Sequence, residues 1–336
     1  MIKDTIKKVV DGFDLKKEEM ISTMNEIMSG EATPAQIASF ITALRIKVET
    51  VEEITGAAMV MRQKAIKILV DDSIIVDTCG TGGSGKNIFN VSTCSAFVIS
   101  GLGLKVAKHG NRSVSSSCGS ADVLRELGVN IELAPSKVEE CVNSIGIGFL
   151  FAPLFHGAMK HAIGPRREIG IRTIFNILGP LTNPAGANVQ VLGVFKESLT
   201  EVMANVLKNL GVKSAFVVHG EDGLDEISTT AKTVVSELKD GDVKTYKVRP
   251  EDFGIQETAL KYLKGSSPQE NADIIRDILA GKKSPKRDIV LVNSSCALVA
   301  AGKAAHFREG VALAAECIDS GKAKKKLKQL IEFTTG

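Results

Sequence analysis

The sequence predicts an α/β protein in two parts. A small N-terminal helical bundle covers residues 1–70, and a large α/β domain with a mainly parallel central sheet flanked by helices covers 71–336. Two observations carry this. Up to about residue 70, apolar side chains recur only at helical spacing, whereas from Ile74 short apolar runs alternate with helical patterns. A chain of 336 residues also exceeds one ordinary core and suits a large domain beside a small one.

In the first part, Ile2, Ile6, Val9 and Val10 share a helical face, as do Ile21, Met24, Ile27 and Met28, with Gly30 as the stop. Thr33, Pro34 and Gln36 form a capping box for a helix through Ile37, Phe40, Ile41 and Leu44. Thr50 and Glu53 repeat the device ahead of Ile54, Ala57, Ala58 and Met61. These helices carry no chemistry of their own and read as a scaffold or a dimerisation surface.

In the second part, strands are expected at 74–76, 104–107, 129–133, 148–151, 189–194 and 215–218, each separated by a helical pattern. Residues 234–238 and 243–248, joined by Lys239-Asp240-Gly241-Asp242, read as a β-hairpin. Lys322, Lys324, Lys325, Lys326 and Lys328 fall in a last helix, where cations are expected at the negative end of its dipole. In such a sheet, ligands bind beyond the carboxyl ends of the strands.

Composition narrows the function. A hydrophobic fraction of 44%, a charged fraction of 24% and a net charge of +3 describe a soluble globular protein without a nucleic-acid footprint. No apolar run approaches the roughly 18 residues of a membrane span, and no signal-peptide core follows Met1, so a cytoplasmic location without membrane attachment is expected. The six cysteines lie too far apart for a zinc site and read as reduced packing residues.

Asp77-Thr78-Cys79-Gly80-Thr81-Gly82-Gly83-Ser84-Gly85-Lys86-Asn87 is the most informative stretch. Gly80, Gly82 and Gly85 satisfy a dinucleotide fingerprint, but the acidic residue needed about twenty positions later is replaced by Lys105, Lys108 and His109. Gly80 to Lys86 begins a P-loop, yet Asn87 stands where a magnesium-binding hydroxyl is required. What survives is a glycine loop leading to a helix N-terminus, which favours phosphate, with Asn90, Ser92 and Thr93 as added donors.

A second loop from Lys108 to Ser120 offers two cations, an amide and five hydroxyls, a density that suits a ligand with several phosphates. His156 and His161 fall in a helix-like stretch and read equally as functional residues and as merely packed or surface ones. Arg166, after Pro165, reads as a carboxylate clamp or as a surface arginine. Asp225 and Glu226 follow a strand end and form either a magnesium site or a solvated acidic turn.

Taken together, these segments resemble the anthranilate phosphoribosyltransferase family essentially end to end. The resemblance rests on Gly80-Thr-Gly-Gly83 with Asn90-Val-Ser-Thr93, on Lys108-His-Gly-Asn-Arg-Ser113, and on Phe175-Asn-Ile-Leu-Gly-Pro-Leu-Thr-Asn-Pro184. It implies a fold shared with pyrimidine nucleoside phosphorylases, the nearest alternative reading. A non-catalytic nucleotide-binding module and a nicotinamide dehydrogenase are more distant ones. It also implies transfer of the phosphoribosyl group of phosphoribosyl pyrophosphate to the amine of anthranilate, in tryptophan biosynthesis.

By resemblance, Gly80, Gly82, Gly83, Ser84, Asn90, Ser92, Thr93, Lys108 and Ser120 would hold phosphoribosyl pyrophosphate, and Ser92, Asp225 and Glu226 would bind Mg²⁺. Gly80, His109, Asn111, His156 and Arg166 would meet anthranilate, with His109 and Gly110 as a flexible wall between the ligands. Lys108 and Arg166 would be the residues closest to catalysis. The resemblance further implies a homodimer through the N-terminal helices and a segment near 166–186 that returns to pack on them. An aryl amine is neutral at pH 7, so positioning and neutralisation of the leaving pyrophosphate should suffice without a strong general base.

Ser84 departs from the family pattern, in which an aspartate follows the paired glycines. Loss of one negative charge from a polyanion site should alter the magnesium dependence of activity. Restoring it with Ser84→Asp is expected to shift the activity–magnesium curve, and superimposable curves would refute that reading.

Overall fold

The computed structural model describes residues 1–83, 85–113 and 118–336. Ser84, one of the residues expected at the site, and Val114 to Ser117 of the second loop lie outside them. The chain opens with α1 (Ile2–Val10), α2 (Lys17–Ser29), α3 (Pro34–Lys47) and α4 (Val51–Lys64). The expected caps form. Gln36 N donates to Thr33 Oγ1 at 3.3 Å, and Thr33 N donates back to Gln36 Oε1 at 2.9 Å. Glu53 does more than cap α4. Its buried carboxylate accepts from Thr50 N and Leu15 N, each at 2.8 Å, and from Lys47 Nζ at 3.0 Å, tying three segments together.

The α/β part follows as β1 (Ile75–Gly80), α5 (Val91–Gly101), β2 (Lys105–Gly110), α6 (Ser120–Glu126), α7 (Pro135–Ile145), β3 (Ile147–Phe151) and α8 (Ala152–Phe155). After α9 (Lys160–Ile169) and α10 (Phe175–Leu178) come β4 (Val189–Gly193), α11 (Leu199–Asn209), β5 (Ser214–Gly220), β6 (Thr233–Lys239) and β7 (Asp242–Val248). The chain closes with α12 (Pro268–Leu279), α13 (Pro285–Ala300), α14 (Phe307–Asp319) and α15 (Lys322–Thr335).

These strands form one sheet in the order β3-β2-β1-β4-β5-β6-β7. The first five are parallel; β6 and β7 add the expected antiparallel hairpin around Asp240-Gly241. The chain winds outward from β1 through β2 to β3, then returns to place β4 on the other side of β1. The connections after β1 and β4 therefore diverge to opposite sides, which opens a crevice at their carboxyl ends.

Both faces of the sheet are covered. One core joins Val76, Val106, Val191 and Phe216 to apolar side chains of α5, α12, α13, α14 and α15. The other joins Leu192, Val194, Ala215 and Val217 to α11, to α2, α3 and α4, and to Ala162, Ile174, Phe175, Ile177 and Leu181. Ala162 lies on α9, which packs against α2 and α3, and α10 packs against α4.

Three expectations fail in instructive ways. Residues 129–133 form no strand. Val129 and Ile131 are buried and Asn130 and Glu132 exposed, as alternation demands, but the segment packs beside α15, where Asn130 N donates to Thr334 Oγ1 at 3.1 Å. The lysine-rich stretch does lie in the last helix, but in its first two turns, at the positive end of the dipole. There its lysines are carried by solvent, with Lys326 Nζ on the Ile145 carbonyl, rather than by the dipole. His156 sits outside α8, at a break in the helix, while His161 lies within α9.

Removing the Glu53 carboxylate would strand the Leu15 and Thr50 N–H groups and leave the Lys47 ammonium with only Asp14 and the Val48 carbonyl. Glu53→Ala is expected to cost about 3 kcal/mol of unfolding free energy in urea titrations; a loss within the ~0.5 kcal/mol usual for a surface change would show that the network is dispensable.

Candidate active site

The site grows from strand alternation. Successive residues of a strand face opposite sides of the sheet, so in β2 Lys108 turns toward α5 and His109 toward the helices of the other face. Both lie within the strand rather than in the loop after it. Lys108 is buried, and its Nζ donates to the Thr78 carbonyl of β1 and, at 3.2 Å, to Ser92 Oγ in the first turn of α5. Burial pulls its pKa down, while Asp77 and Glu226 oppose the fall.

The phosphate-favouring features converge around this ammonium. The first turn of α5 contains no acidic residue, and its N-cap, Asn90, makes no capping bond, which leaves the positive end of the dipole open to an anion. Gly80 ends β1, and its register partner on β4 is Gly193. A Cβ on Gly193 would lie 1.7 Å from the Asp225 carbonyl oxygen, so only glycine lets the loop after β5 cross the strand ends. That crossing carries Asp225 to the glycine loop, with Oδ2 3.2 Å from the point where a Gly80 Cβ would lie. Glu226 comes close enough to Lys108 to feel its charge. Burial, reinforced by Asp225, pushes the Glu226 carboxyl up to about 8.

Asn90 also anchors the second loop. Its Nδ2 donates to Cys118 O at 3.2 Å, and its Oδ1 accepts from Asn271 Nδ2 of α12 at 3.2 Å. Asp122 Oδ2 accepts from Ser113 N and Gly119 N at 3.1 and 2.9 Å, which closes the loop's two ends on the start of α6. Ser120 Oγ lies 3.4 Å from the Asn111 carbonyl it donates to. Thr93 Oγ1 is buried without a hydrogen-bond partner among the described residues. Gly82 has open space around it.

On the other face, His109 Nδ1 lies 3.1 Å from the Gly179 carbonyl, and His109 Nε2 lies 3.2 Å from His156 Nε2. With Nδ1–H donating to Gly179, His109 Nε2 accepts and His156 donates. Burial is the main cause that depresses both pKa values, to about 3 for His109 and about 4 for His156, with His156 adding to the fall at His109. His109 is thus held through both ring nitrogens. Asp77 secures it from beneath: Oδ1 accepts from His109 N at 3.2 Å and Oδ2 from Asn183 Nδ2 at 2.8 Å, while burial raises its pKa to about 6. Arg166, on α9, lies with its guanidinium 5.0 Å from the centre of the Phe175 ring. Among the described residues it pairs with no carboxylate.

The structure brings Gly80, Ser92, Lys108, Asp225 and Glu226 together on one side, and His109 and His156 on the other. Asp77, Asn183, Asn271 and Arg172 were not singled out by the sequence reading, although Asp77 and Asn183 fell inside quoted segments. Arg172 donates from Nη2 to the Gly83 carbonyl at 2.8 Å.

Comparison with known proteins fits this geometry. Residues 3–65 match the helical bundle domain, and residues 72–324 the a/b domain, of a glycosyl transferase family. Anthranilate phosphoribosyltransferases of Geobacter sp. (strain M21) and Acetivibrio thermocellus are 60% and 58% identical to the chain over 99% of its length, covering 99% and 97% of theirs. The chain belongs to the anthranilate phosphoribosyltransferase family. The crystal structure of anthranilate phosphoribosyltransferase from Thermus thermophilus superposes with a TM-score of 0.93 at 42% identity, covering 99% of this chain and 100% of that one. The Saccharomyces cerevisiae anthranilate phosphoribosyltransferase in complex with PRPP and Mg superposes with a TM-score of 0.92 at 31% identity, covering 99% and 98%. Among the described residues no helix is long and apolar enough to cross a membrane.

In this anthranilate phosphoribosyltransferase-family chain the histidine pair sets a pH dependence. An unfolded histidine takes a proton near pH 6.5, whereas the folded pair resists until about pH 4 or below. The unfolded state therefore binds more protons across that window, and the pair's contribution to stability is lost as pH falls. His156→Gln is expected to lose about 2 kcal/mol less than the parent chain between pH 7 and pH 5. Parallel stability–pH curves would show that the pair does not titrate this way.

Proposed function

We propose that this chain transfers the 5-phosphoribosyl group of phosphoribosyl pyrophosphate to the amine of anthranilate, releasing pyrophosphate and N-(5-phosphoribosyl)anthranilate in tryptophan biosynthesis. What carries the reading is the identity of about 60% to named anthranilate phosphoribosyltransferases over 99% of both chains. It favours this reading over a pyrimidine nucleoside phosphorylase and over a non-catalytic nucleotide-binding module.

The donor side is the glycine loop and the open end of α5. Gly80, Gly82, Gly83, Ser84, Asn90, Ser92, Thr93, Lys108 and Ser120 are assigned to phosphoribosyl pyrophosphate. Lys108 works from beneath: its buried ammonium holds Ser92 in place and adds positive potential under the loop. Asp225 and Glu226 suit Mg²⁺, because two adjacent carboxylates repel each other enough to help lift Glu226 to about 8, and a divalent cation relieves that repulsion. Asp225, Glu226 and the Ser92 hydroxyl would hold it, and when bound it offsets charge on the departing pyrophosphate.

The acceptor side is Gly80, His109, Asn111, His156 and Arg166, with the Arg166 guanidinium on the anthranilate carboxylate. The amine nitrogen bonds to the ribose C1′ as the bond from C1′ to the pyrophosphate oxygen breaks, and the amine then gives up a proton. No residue needs to act as a strong base: the two histidines are neutral, and the His109 Nε2 lone pair is engaged by His156. Positioning across the crevice and charge neutralisation supply the rate.

The reading includes a division near residue 70, with 166–186 returning to the first helices, and a homodimer formed through those helices. Exposed Val10, Phe13, Ile46 and Val48 at the ends of α1 and α3 supply apolar surface for it. The buried thiols of Cys94, Cys141, Cys296 and Cys317 suit a reducing cytoplasm.

Anthranilate fluorescence is expected to decay only when enzyme, phosphoribosyl pyrophosphate and Mg²⁺ are all present. No decay at any magnesium concentration would overturn the assignment. Arg166→Ala is expected to raise the KM for anthranilate by about tenfold to a hundredfold with little change in the KM for phosphoribosyl pyrophosphate.

A further inference from the structure

Arg172 lies between the two halves of the site without belonging to either. It occupies the short connection between α9, which carries Arg166, and α10, whose Phe175 lies under Arg166. The connection is held at both ends. Gly170 closes α9, its N–H on the Arg166 carbonyl, and Thr173 N donates to Asn176 Oδ1 at 3.0 Å to open α10.

From this base the side chain reaches the donor loop. Nη2 donates to the Gly83 carbonyl at 2.8 Å, and the guanidinium lies 4.7 Å from the centre of the Phe195 ring. Phe195 N donates to Thr81 Oγ1 at 3.1 Å, and Thr81 N donates to the Gly193 carbonyl at 2.9 Å. The glycine loop is thus braced on both sides of Gly82, by Thr81 against the end of β4 and by Gly83 against Arg172. The fit is close: a Cβ on Gly83 would lie 1.7 Å from Nη2, and Gly83 has φ +82°. Among the described residues no carboxylate neutralises Arg172. Its charge therefore stands behind a loop built for an anion and turns the carbonyl end of the Gly83 dipole away from that anion.

We propose that Arg172 is a positioning residue that couples the donor half of the site to the acceptor half. An anion on the glycine loop fixes the Gly83 carbonyl and with it the guanidinium that bonds to it. This immobilises the α9–α10 connection and with it the Arg166–Phe175 pair that meets the acceptor. The ordering is incurred once, by whichever ligand binds first, so each ligand tightens the other. The inference rests on the assignment of phosphoribosyl pyrophosphate and anthranilate to the two halves, and it adds a link between them.

The test uses the whole chain and measures the Kd of anthranilate by its fluorescence, with and without inorganic pyrophosphate plus Mg²⁺, a pair that cannot turn over. Pyrophosphate is expected to tighten anthranilate at least about fivefold. In Arg172→Ala that ratio is expected to fall below about twofold, while the Kd for anthranilate alone stays within about twofold of the parent value. A purely structural role would instead weaken anthranilate with and without pyrophosphate alike. Phe195→Leu, which keeps the guanidinium but removes its ring, should lower the ratio as well and carries the test if Arg172→Ala does not fold. A ratio of one in the parent chain, or an undiminished ratio in a folded variant, overturns the coupling while leaving the site assignment standing. Failure of the parent chain to bind anthranilate under either condition overturns both.

Discussion

A buried ammonium organises the centre of this molecule. Lys108 lies between β1 and α5, where desolvation penalises its charge, and Asp77 and Glu226 keep that charge in place. An ammonium left there unpaired would be costly. Each element near it therefore supplies an oxygen or a charge: Thr78 its carbonyl, Ser92 its hydroxyl, Glu226 its carboxylate. Those compensations draw the loop after β5 toward the start of α5, which is where an anion is best received.

The alternation of β2 divides the chemistry. Lys108 faces α5 with its compensating oxygens, and His109 faces the helices with a neutral partner, His156. A protonated histidine there would lose solvent and meet Lys108 as a like charge, and both effects keep the pair uncharged. One step along the strand thus separates a charged compartment from an uncharged one lined by the histidine pair. Gly193 keeps the two in register, because any side chain there would force the Asp225 loop off the strand ends.

Much of this was legible in the chain. The capping boxes, the alternation of strands and helices, the hairpin and the glycine loop are local, and each announces itself within a few residues. The segment 129–133 shows the limit of local reasoning. Its alternation of buried and exposed residues is real, but α15 and not a neighbouring strand satisfies it. The lysines of α15 misled for the same reason, since the end of the helix at which they lie depends on where the chain turns.

The sequence by itself determined the fold class, the order of the elements and the identity of the two anion-favouring loops, because hydrophobic periodicity, caps and glycine clusters are properties of neighbouring residues. Only the tertiary structure decided which partners complete the site. Asn183 reaches Asp77 across 106 residues, Asn271 reaches Asn90 across 181, and Arg172 reaches Gly83 across 89. No spacing rule encodes such pairs. They exist because the sheet reverses its winding between β1 and β4 and brings distant loops to one edge, where buried polar atoms must find partners.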